Sequence, residues 1–347
     1  MDRCLRPRTS GWRRNALPAL AVIVALLFTL TAAIGAADLP SDEELQRAVD
    51  MAYEKFKDLK EGANADYIPI LAEVPSELFG IAIATVDGKL ITAGDVDHAF
   101  SIQSVSKPFV MALVMQEQGT DAVQQKIGVE PTGMPFNSII AIELNQQRSI
   151  NPLVNAGAIA AVSMLEAADP AQRWAKIERG FDDFAGEKLS VLEEVYESEA
   201  ETNFRNVAIA YLLYNYGRLY SDPMEAVDVY TRQCSIGVDT GQLAMMGATL
   251  ANGGTNPKTG KMLIDSDHVD EVLSVMMMAG FYDESGIWSY EVGLPGKTGV
   301  GGGIVVVVPG ELAIAAFSPR LNDAGNSVRA MSAIKYIAEQ LNYSVYK

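Results

Sequence analysis

The pattern of apolar positions predicts strands near both ends of the chain. Residues 80–86 form a short apolar run, an Asp-Gly pair follows as a strong hairpin signal, and residues 89–93 return as a second strand. Towards the other end, residues 297–308 lead through three glycines into a run of Ile and Val, and residues 312–317 return after a Pro-Gly turn. Two strands from the start and about three from the end most simply form one antiparallel sheet.

Between these strands the apolar residues recur with the spacing of helices. The segment 155–167 is rich in Ala, Ile and Val, so we expect it to be buried. Before the first strand, Ser41 and the acidic residues after it are typical of a capped helix start. The expected helices cover residues 41–59, 105–118, 155–167, 205–216, 239–251 and 326–340.

These elements predict an α+β fold, in which terminal helices flank an antiparallel sheet and the middle of the chain forms a mostly helical second domain. We expect the sheet domain to comprise residues 38–103 and 285–347, and the helical domain residues 104–284. A cleft between two such domains is a common place for a small-molecule site.

Residues 1–37 have the pattern of an export signal. Five arginines precede an apolar run over residues 16–35, and small residues close it before Asp38. We expect cleavage near Ala37 and a periplasmic or secreted protein. The apolar run is roughly 20 residues, enough to span a bilayer, so a retained membrane anchor stays an alternative.

Composition excludes several kinds of function. The formal net charge is −17, which argues against a nucleic-acid partner because phosphate binding needs clustered Lys and Arg. The two histidines, His98 and His268, lie far apart, so neither a zinc site nor a Ser-His-Asp triad is expected. Cys234, the one cysteine after the signal, is expected to be a small buried hydrophobe.

Two short strings carry the candidate chemistry. Ser104 and Lys107 form S-x-x-K, and residues 297–299 form K-T-G, together the signature of serine enzymes related to penicillin-binding proteins and β-lactamases. Because the two residues are three positions apart on a helix, the lysine amine can reach the serine hydroxyl. The amine can act as a base if burial lowers its pKa. The backbone N–H groups of Ser104 and Val300 would then form an oxyanion hole.

The same chemistry also fits a β-lactamase or a penicillin-binding enzyme. Such an enzyme carries a third string, S-x-N, and residues 149–151 (Ser-Ile-Asn) match its letters. A polar loop before Pro152 is the more ordinary interpretation, and no clear E-x-x-L-N string of a class A β-lactamase follows. The strings alone leave this alternative open.

Longer segments resemble one family within this superfamily, the serine-dependent glutaminases. The resemblance extends over roughly residues 66–326 and is far more specific than either short string. The resembling segments are Tyr67–Pro69, Gln103–Pro108, Asn151–Ile159, Glu199–Asn206, Tyr230–Ser235, Leu250–Gly254, Gly280–Asp283, Gly293–Pro295 and Lys297–Val300.

The resemblance implies hydrolysis of L-glutamine to glutamate and ammonia, with no metal or organic cofactor. It implies that Ser104 is the nucleophile, that Lys107 is its proton partner, and that Tyr67 and Tyr282 lie close enough to help move a proton. A carboxylate suits the substrate ammonium, and amide and phenol donors suit its carboxylate. The substrate-binding residues it implies are Ser104, Asn155, Glu199, Asn206, Tyr230, Tyr282 and Val300.

The resemblance also chooses between two K-T-G strings. It matches the string at Lys297, whereas the duplicate at Lys258 follows a loop-forming run and is expected to be an exposed turn. It further implies a homo-oligomer. A non-catalytic amino-acid-binding module on the same fold is a second alternative, and the intact Ser104 and Lys107 count against it.

Overall fold

The computed structural model describes residues 39–145 and 147–347, and a five-stranded antiparallel sheet organises this part of the chain. The strand order is β2-β1-β8-β7-β6, and a small second sheet has the order β3-β5-β4. In chain order the strands are β1 Gly80–Thr85, β2 Leu90–Gly94, β3 Phe100–Ser101, β4 Ser190–Val191, β5 Ile236–Val238, β6 Gly296–Thr298, β7 Gly303–Val308 and β8 Leu312–Phe317.

Helices surround the large sheet and fill the middle of the chain. Two 3-10 turns, Gln103–Ser106 and Tyr282–Glu284, precede helices α3 and α13. The helices are α1 Asp42–Phe56, α2 Pro69–Ala72, α3 Lys107–Gln118, α4 Thr120–Lys126, α5 Ile139–Leu144, α6 Asn155–Met164, α7 Pro170–Ala185, α8 Glu193–Thr202, α9 Phe204–Asn215, α10 Pro223–Cys234, α11 Thr240–Ala251, α12 Ser266–Ala279, α13 Ser285–Glu291 and α14 Val328–Gln340.

The central strands β1, β7 and β8 are buried on both faces, and in β1 the two faces differ in side-chain size. In β1, Ile81 and Ile83 face the terminal helices α1 and α14, whereas Ala82 and Ala84 belong to the core shared with the middle helices. Strand residues alternate between faces, so this period of two assigns large side chains to one layer and small ones to the other.

Small side chains on the second face let helix α11 lie very close to the sheet. A Cβ atom built on Gly247 would lie 2.7 Å from Cβ of Ala313 and 2.6 Å from Cγ2 of Val305. These separations are shorter than real carbon contacts, so only glycine fits at this position of α11. The sheet and the middle helices therefore share one continuous core.

The terminal helices cover the opposite face, as the apolar pattern predicted. Helix α1 begins with the capping box formed by Ser41 and Glu44, and it packs against α14 and the β1–β2 hairpin. Leu45 and Val49 of α1 join Ile334 in the core beneath the sheet. The predicted α+β fold and its antiparallel sheet are confirmed.

Two predictions about the outline of the chain stay predictions. The export signal at residues 1–37 lies outside the described residues. Residues Ser41–Lys347 form one compact unit, and the division into a sheet domain and a helical domain is not tested by it. Within residues 39–145 and 147–347, no helix combines the length and apolar character needed to cross a bilayer.

The close packing of α11 generates a stability prediction. We expect Gly247→Ala to lower the free energy of unfolding by about 1–2 kcal/mol, because overpacking outweighs the better helix propensity of alanine. The matched control is Gly286→Ala on α13, where a Cβ would meet nothing within 4 Å. There the same change should stabilise by up to about 1 kcal/mol. Urea unfolding of both variants checks the opposite signs, and equal effects would contradict the packing argument.

Candidate active site

The two strings with candidate chemistry meet where the edge strand β6 ends. This end of the strand lies against the segment that carries Ser104. A Cβ on Gly301 would lie 2.4 Å from the carbonyl oxygen of Ser101. One on Gly299 would lie 3.0 Å from the carbonyl oxygen of Ile102. Glycine permits this backbone contact, and the contact holds the second string against the first.

Ser104 lies in the 3-10 turn that leads directly into helix α3. Lys107 is the first residue of α3, and Pro108 follows at a position where the helix needs no backbone N–H. Gln103, just before the serine, has a φ of 48°, a left-handed conformation that is costly for a residue with a side chain. The surrounding structure therefore holds the serine turn in a strained geometry.

A cavity of about 280 Å³ opens over Ser104. Most of the residues in its wall have polar side chains, and the wall combines residues from α6, α8, α9 and α10 with the segment after β6. The residues singled out from the sequence that line it are Tyr67, Ser104, Asn155, Glu199, Asn206, Tyr230 and Val300.

Lys107 is buried next to this wall. Its Nζ donates to Oδ1 of Asn155 at 2.7 Å and to the carbonyl oxygen of Leu153 at 3.4 Å. The ring centroids of Tyr230 and Phe136 lie 5.8 and 6.0 Å from Nζ. Burial lowers the pKa of Lys107 to about 8. The neutral amine, which can accept a proton, is therefore accessible close to neutral pH.

Asn155 is the centre of a short hydrogen-bond chain. Its Oδ1 accepts from Lys107 and also from the hydroxyl of Tyr230, at 3.3 Å, while its Nδ2 donates to Oδ1 of Asn206 at 2.9 Å. Because the amide oxygen and nitrogen have different partners, the orientation of the amide is fixed. The chain connects the buried lysine to two residues of the cavity wall.

Glu199 is a buried carboxylate on a helix whose other acidic residues are exposed. It shares the inward face of α8 with Val195, four residues earlier. Its Oε2 accepts from Nε2 of Gln103 at 3.0 Å. Burial raises the pKa of Glu199 to about 7, and the hydrogen bond from Gln103 opposes the shift. A cationic partner would offset much of the free-energy cost of burying this carboxylate in its ionised form.

The two implied tyrosines differ in their surroundings. Tyr282 is buried, has a φ of 56°, and directs its hydroxyl to the carbonyl oxygen of Thr298 at 3.5 Å. Burial raises the pKa of its phenol, and the neighbouring Ser104 hydroxyl partly offsets this rise. Tyr67 lines the open cavity and is 53% exposed. The serine therefore has one tyrosine on its buried side and another on its open side.

Several residues of the cavity wall were not predicted from the sequence to belong to the site. Gln103 carries no chemical signal except its place beside Ser104. Phe136 and Asn137 come from an irregular loop, and no periodicity points to them. The hydrogen bond from the backbone N–H of Asn155 to the carbonyl oxygen of Phe136, at 2.9 Å, brings this loop to the cavity. The missed wall residues are Ile68, Gln103, Phe136, Asn137, Thr202, Asn203 and Arg205.

The duplicate K-T-G string and the S-x-N string have structural roles, as expected. Lys258 lies in a turn and forms an exposed ion pair with Glu187. Asn151, which ends the S-x-N string, donates to the carbonyl oxygen of Glu130, and its Oδ1 accepts from the backbone N–H of Leu153 at 2.9 Å. The asparagine therefore stabilises the loop before α6 and is absent from the cavity wall.

The predicted burial of Cys234 is confirmed. Cys234 is a free, buried thiol, and burial raises its pKa, so the reactive thiolate is disfavoured. Neither His98 nor His268 lines the cavity.

Comparison with known proteins identifies the family. The family model described as Glutaminase matches residues 62–346. The chain belongs to the glutaminase family. A glutaminase of Mycobacterium ulcerans (strain Agy99) is 53% identical over 306 residues, covering 88% of this chain and 96% of that protein.

Solved structures agree. One described as a probable glutaminase is 52% identical with a TM-score of 0.88, and covers 89% of this chain and 100% of its own. The structure of Mglu in its glutamate form is 38% identical with a TM-score of 0.81, covering 86% of this chain and 68% of that one. The predicted family and its β-lactamase-like fold are confirmed, and a glutaminase is favoured over a penicillin-recognising enzyme.

The buried carboxylate of Glu199 predicts a pH-dependent cost to stability. Its folded pKa of about 7 lies above the ordinary 4.5, so the stability it contributes is present below pH 4.5 and is lost as the pH rises through about 7. We expect Glu199→Gln, which cannot ionise, to gain up to about 3 kcal/mol of unfolding free energy relative to wild type between about pH 5 and about pH 8.

Urea unfolding at both pH values measures this difference. The matched control is Glu201→Gln, an exposed residue on the same helix, which should follow wild type at both. Parallel behaviour of the two variants would contradict the assigned cost of burial.

Proposed function

We propose that this chain hydrolyses L-glutamine to L-glutamate and ammonia, with Ser104 as the nucleophile. The observation that carries the proposal is one cavity where a serine beside a buried lysine faces a carboxylate together with amide and phenol groups. This set complements an amino acid whose side chain ends in an amide. The glutamate form of the relative Mglu supports the same substrate class.

The cavity wall suggests how the amino-acid end is held. Glu199 pairs with the substrate ammonium, which compensates a carboxylate that burial otherwise disfavours. Asn206 donates to the substrate carboxylate through its Nδ2, and Asn155 keeps Asn206 in position by donating to its Oδ1. The Tyr230 hydroxyl, which donates to Asn155 in this structure, turns its single proton to the carboxylate when the substrate binds. The side-chain amide then extends towards Ser104.

In the first step, Oγ of Ser104 attacks the amide carbon and its proton passes to Lys107 or to a tyrosine beside it. Backbone N–H groups of Ser104 and Val300 stabilise the oxyanion. The C–N bond breaks, the nitrogen takes up a proton, and ammonia departs. A γ-glutamyl ester remains on the serine.

In the second step, water attacks the ester carbonyl at the same oxyanion site. The lysine and tyrosine group takes a proton from the water and returns one to Oγ of Ser104, and glutamate is released. Both steps use only residues of this chain, glutamine and water. The uncharged amine of Lys107, accessible because the side chain is buried, is the form that both steps need.

The proposed nucleophile generates a direct prediction. We expect Ser104→Ala to reduce ammonia release from L-glutamine by at least about 1,000-fold, because no other side chain can form the ester. Wild-type enzyme quenched during turnover should carry a γ-glutamyl group on the peptide containing Ser104, detected by mass spectrometry. The group should be absent from the variant.

The matched control is Ser149→Ala, from the S-x-N string. Oγ of Ser149 is buried and has no hydrogen-bond partner among residues 39–145 and 147–347, so its removal should leave activity within about twofold. Full activity in Ser104→Ala would overturn the mechanism. Nitrocefin hydrolysis without ammonia release by wild type would favour the β-lactamase alternative, and neither activity would favour the non-catalytic module.

The lowered pKa of Lys107 predicts the pH dependence of catalysis. Because the base must be deprotonated, kcat/KM should rise as the pH rises through about 8 and level off above it. Lys107→Arg, which stays protonated, should lose at least about 100-fold in kcat at every pH tested. The exposed Lys258→Arg is the control and should keep the wild-type profile. A flat wild-type profile between about pH 6.5 and about pH 9.5 would contradict this role.

A further inference from the structure

Lys297 is a second buried lysine close to the nucleophile, and the mechanism above leaves it without a role. It begins the K-T-G string, lies on the edge strand β6, and has no exposed surface. It is absent from the cavity wall, so a substrate in the cavity would not meet it. Burial lowers the pKa of its ammonium well below the usual range, and the positive charge of Lys107 adds to the effect. Such a costly group needs a physical reason.

The hydrogen bonds and the ring contact of Lys297 all lie around Tyr282. Its Nζ donates to the carbonyl oxygen of Gly280 at 3.0 Å, two residues before the tyrosine. It also donates to the carbonyl oxygen of Thr298 at 2.7 Å, the same oxygen that accepts from the Tyr282 hydroxyl. Nζ lies 4.3 Å from the centroid of the Tyr282 ring. One amine therefore contacts the backbone before the tyrosine, its aromatic face and its hydrogen-bond acceptor.

The conformation of Tyr282 explains why such a contact is needed. Its φ of 56° lies in the left-handed region, which a bulky side chain adopts only when its surroundings impose it. The backbone N–H of Thr298 also donates to the carbonyl oxygen of Gly280, at 3.2 Å. A backbone hydrogen bond thus holds the Tyr282 turn against β6, and Lys297 adds a side-chain hydrogen bond between the same two segments.

We propose that Lys297 is a positioning residue that holds the Tyr282 phenol beside Ser104. The inference rests on the proposed function, in which Tyr282 belongs to the group that moves the serine proton. Lys297 acts through the tyrosine and touches neither substrate nor reacting atoms. The other K-T-G lysine, Lys258, has none of these contacts and lies in an exposed turn.

A double-mutant cycle between Lys297 and Tyr282 tests the proposal. Lys297→Met keeps the length of the side chain and removes its donors, and we expect kcat to fall by about 100-fold with KM changed less than about threefold. In a Tyr282→Phe background, the same change should lower kcat by less than about threefold, because the group that Lys297 positions has already lost its hydroxyl.

Two further variants complete the cycle. Lys258→Met should match wild type, because it removes the same side chain from the duplicate string. Lys297→Gln retains an N–H donor for the two carbonyl oxygens and should recover part of the lost kcat; it replaces Lys297→Met if that variant does not fold, as judged by circular dichroism and thermal unfolding. The proposal is overturned if the fall in kcat of the double variant equals the product of the falls in the two single variants. A large rise in KM at unchanged kcat would also overturn it, since it would make Lys297 a substrate ligand.

A crystal structure of the Lys297 variant used in the cycle separates this proposal from the proposed function. We expect the Tyr282 turn to leave its left-handed conformation and the hydroxyl to move away from Thr298. If wild type releases no ammonia and the tyrosine still moves, the glutaminase mechanism fails and the positioning role stands. If the tyrosine keeps its place in the variant, the positioning role is overturned, whatever the substrate.

Discussion

The contact between the end of β6 and the serine segment is the constraint on which the site depends. Glycines at 299 and 301 let two stretches of backbone touch where any side chain would collide with the carbonyl oxygens of Ser101 and Ile102. Because of that contact, Val300 and Ser104 line the same cavity. Nothing in the chemistry of either string alone would bring them together, since a helix start and an edge strand have no intrinsic affinity.

The surrounding fold supports a site that works against stability. Lys107, Lys297 and Glu199 are ionisable side chains buried with few compensating charges, and Gln103 and Tyr282 have strained backbones. Each feature disfavours folding by amounts comparable with a sizeable share of the stability of a typical domain. The sheet, covered on both faces and joined to the middle helices by one apolar core, provides the stabilisation that offsets them. A polar, strained centre inside a well-packed frame is typical of an enzyme.

Much of this could be predicted from sequence, and the exceptions have physical causes. The strands β1, β2, β7 and β8 and the helix α11 follow from local periodicity and turn residues, which depend only on near neighbours in the chain. Seven of the residues named by the family resemblance line one cavity. Gln103, Phe136 and the close approach at Gly247 were missed because each depends on a distant segment that no local pattern specifies. Similarly, the letters K-T-G alone do not distinguish Lys258 from Lys297, and the choice between them rested on the loop-forming run before Lys258 and on the family resemblance.

The distance along the chain between the two halves of the site has a consequence for folding. Ser104 and the K-T-G strand are separated by most of the helices of the described chain, so every contact between them is long-range. Most of those helices, in contrast, form from local contacts. Contacts that close large loops form late because their entropy cost is highest. An early intermediate with native helices would therefore contain no assembled site. The appearance of hydrolysis during refolding would report the final docking of β6, and would follow the recovery of helical signal.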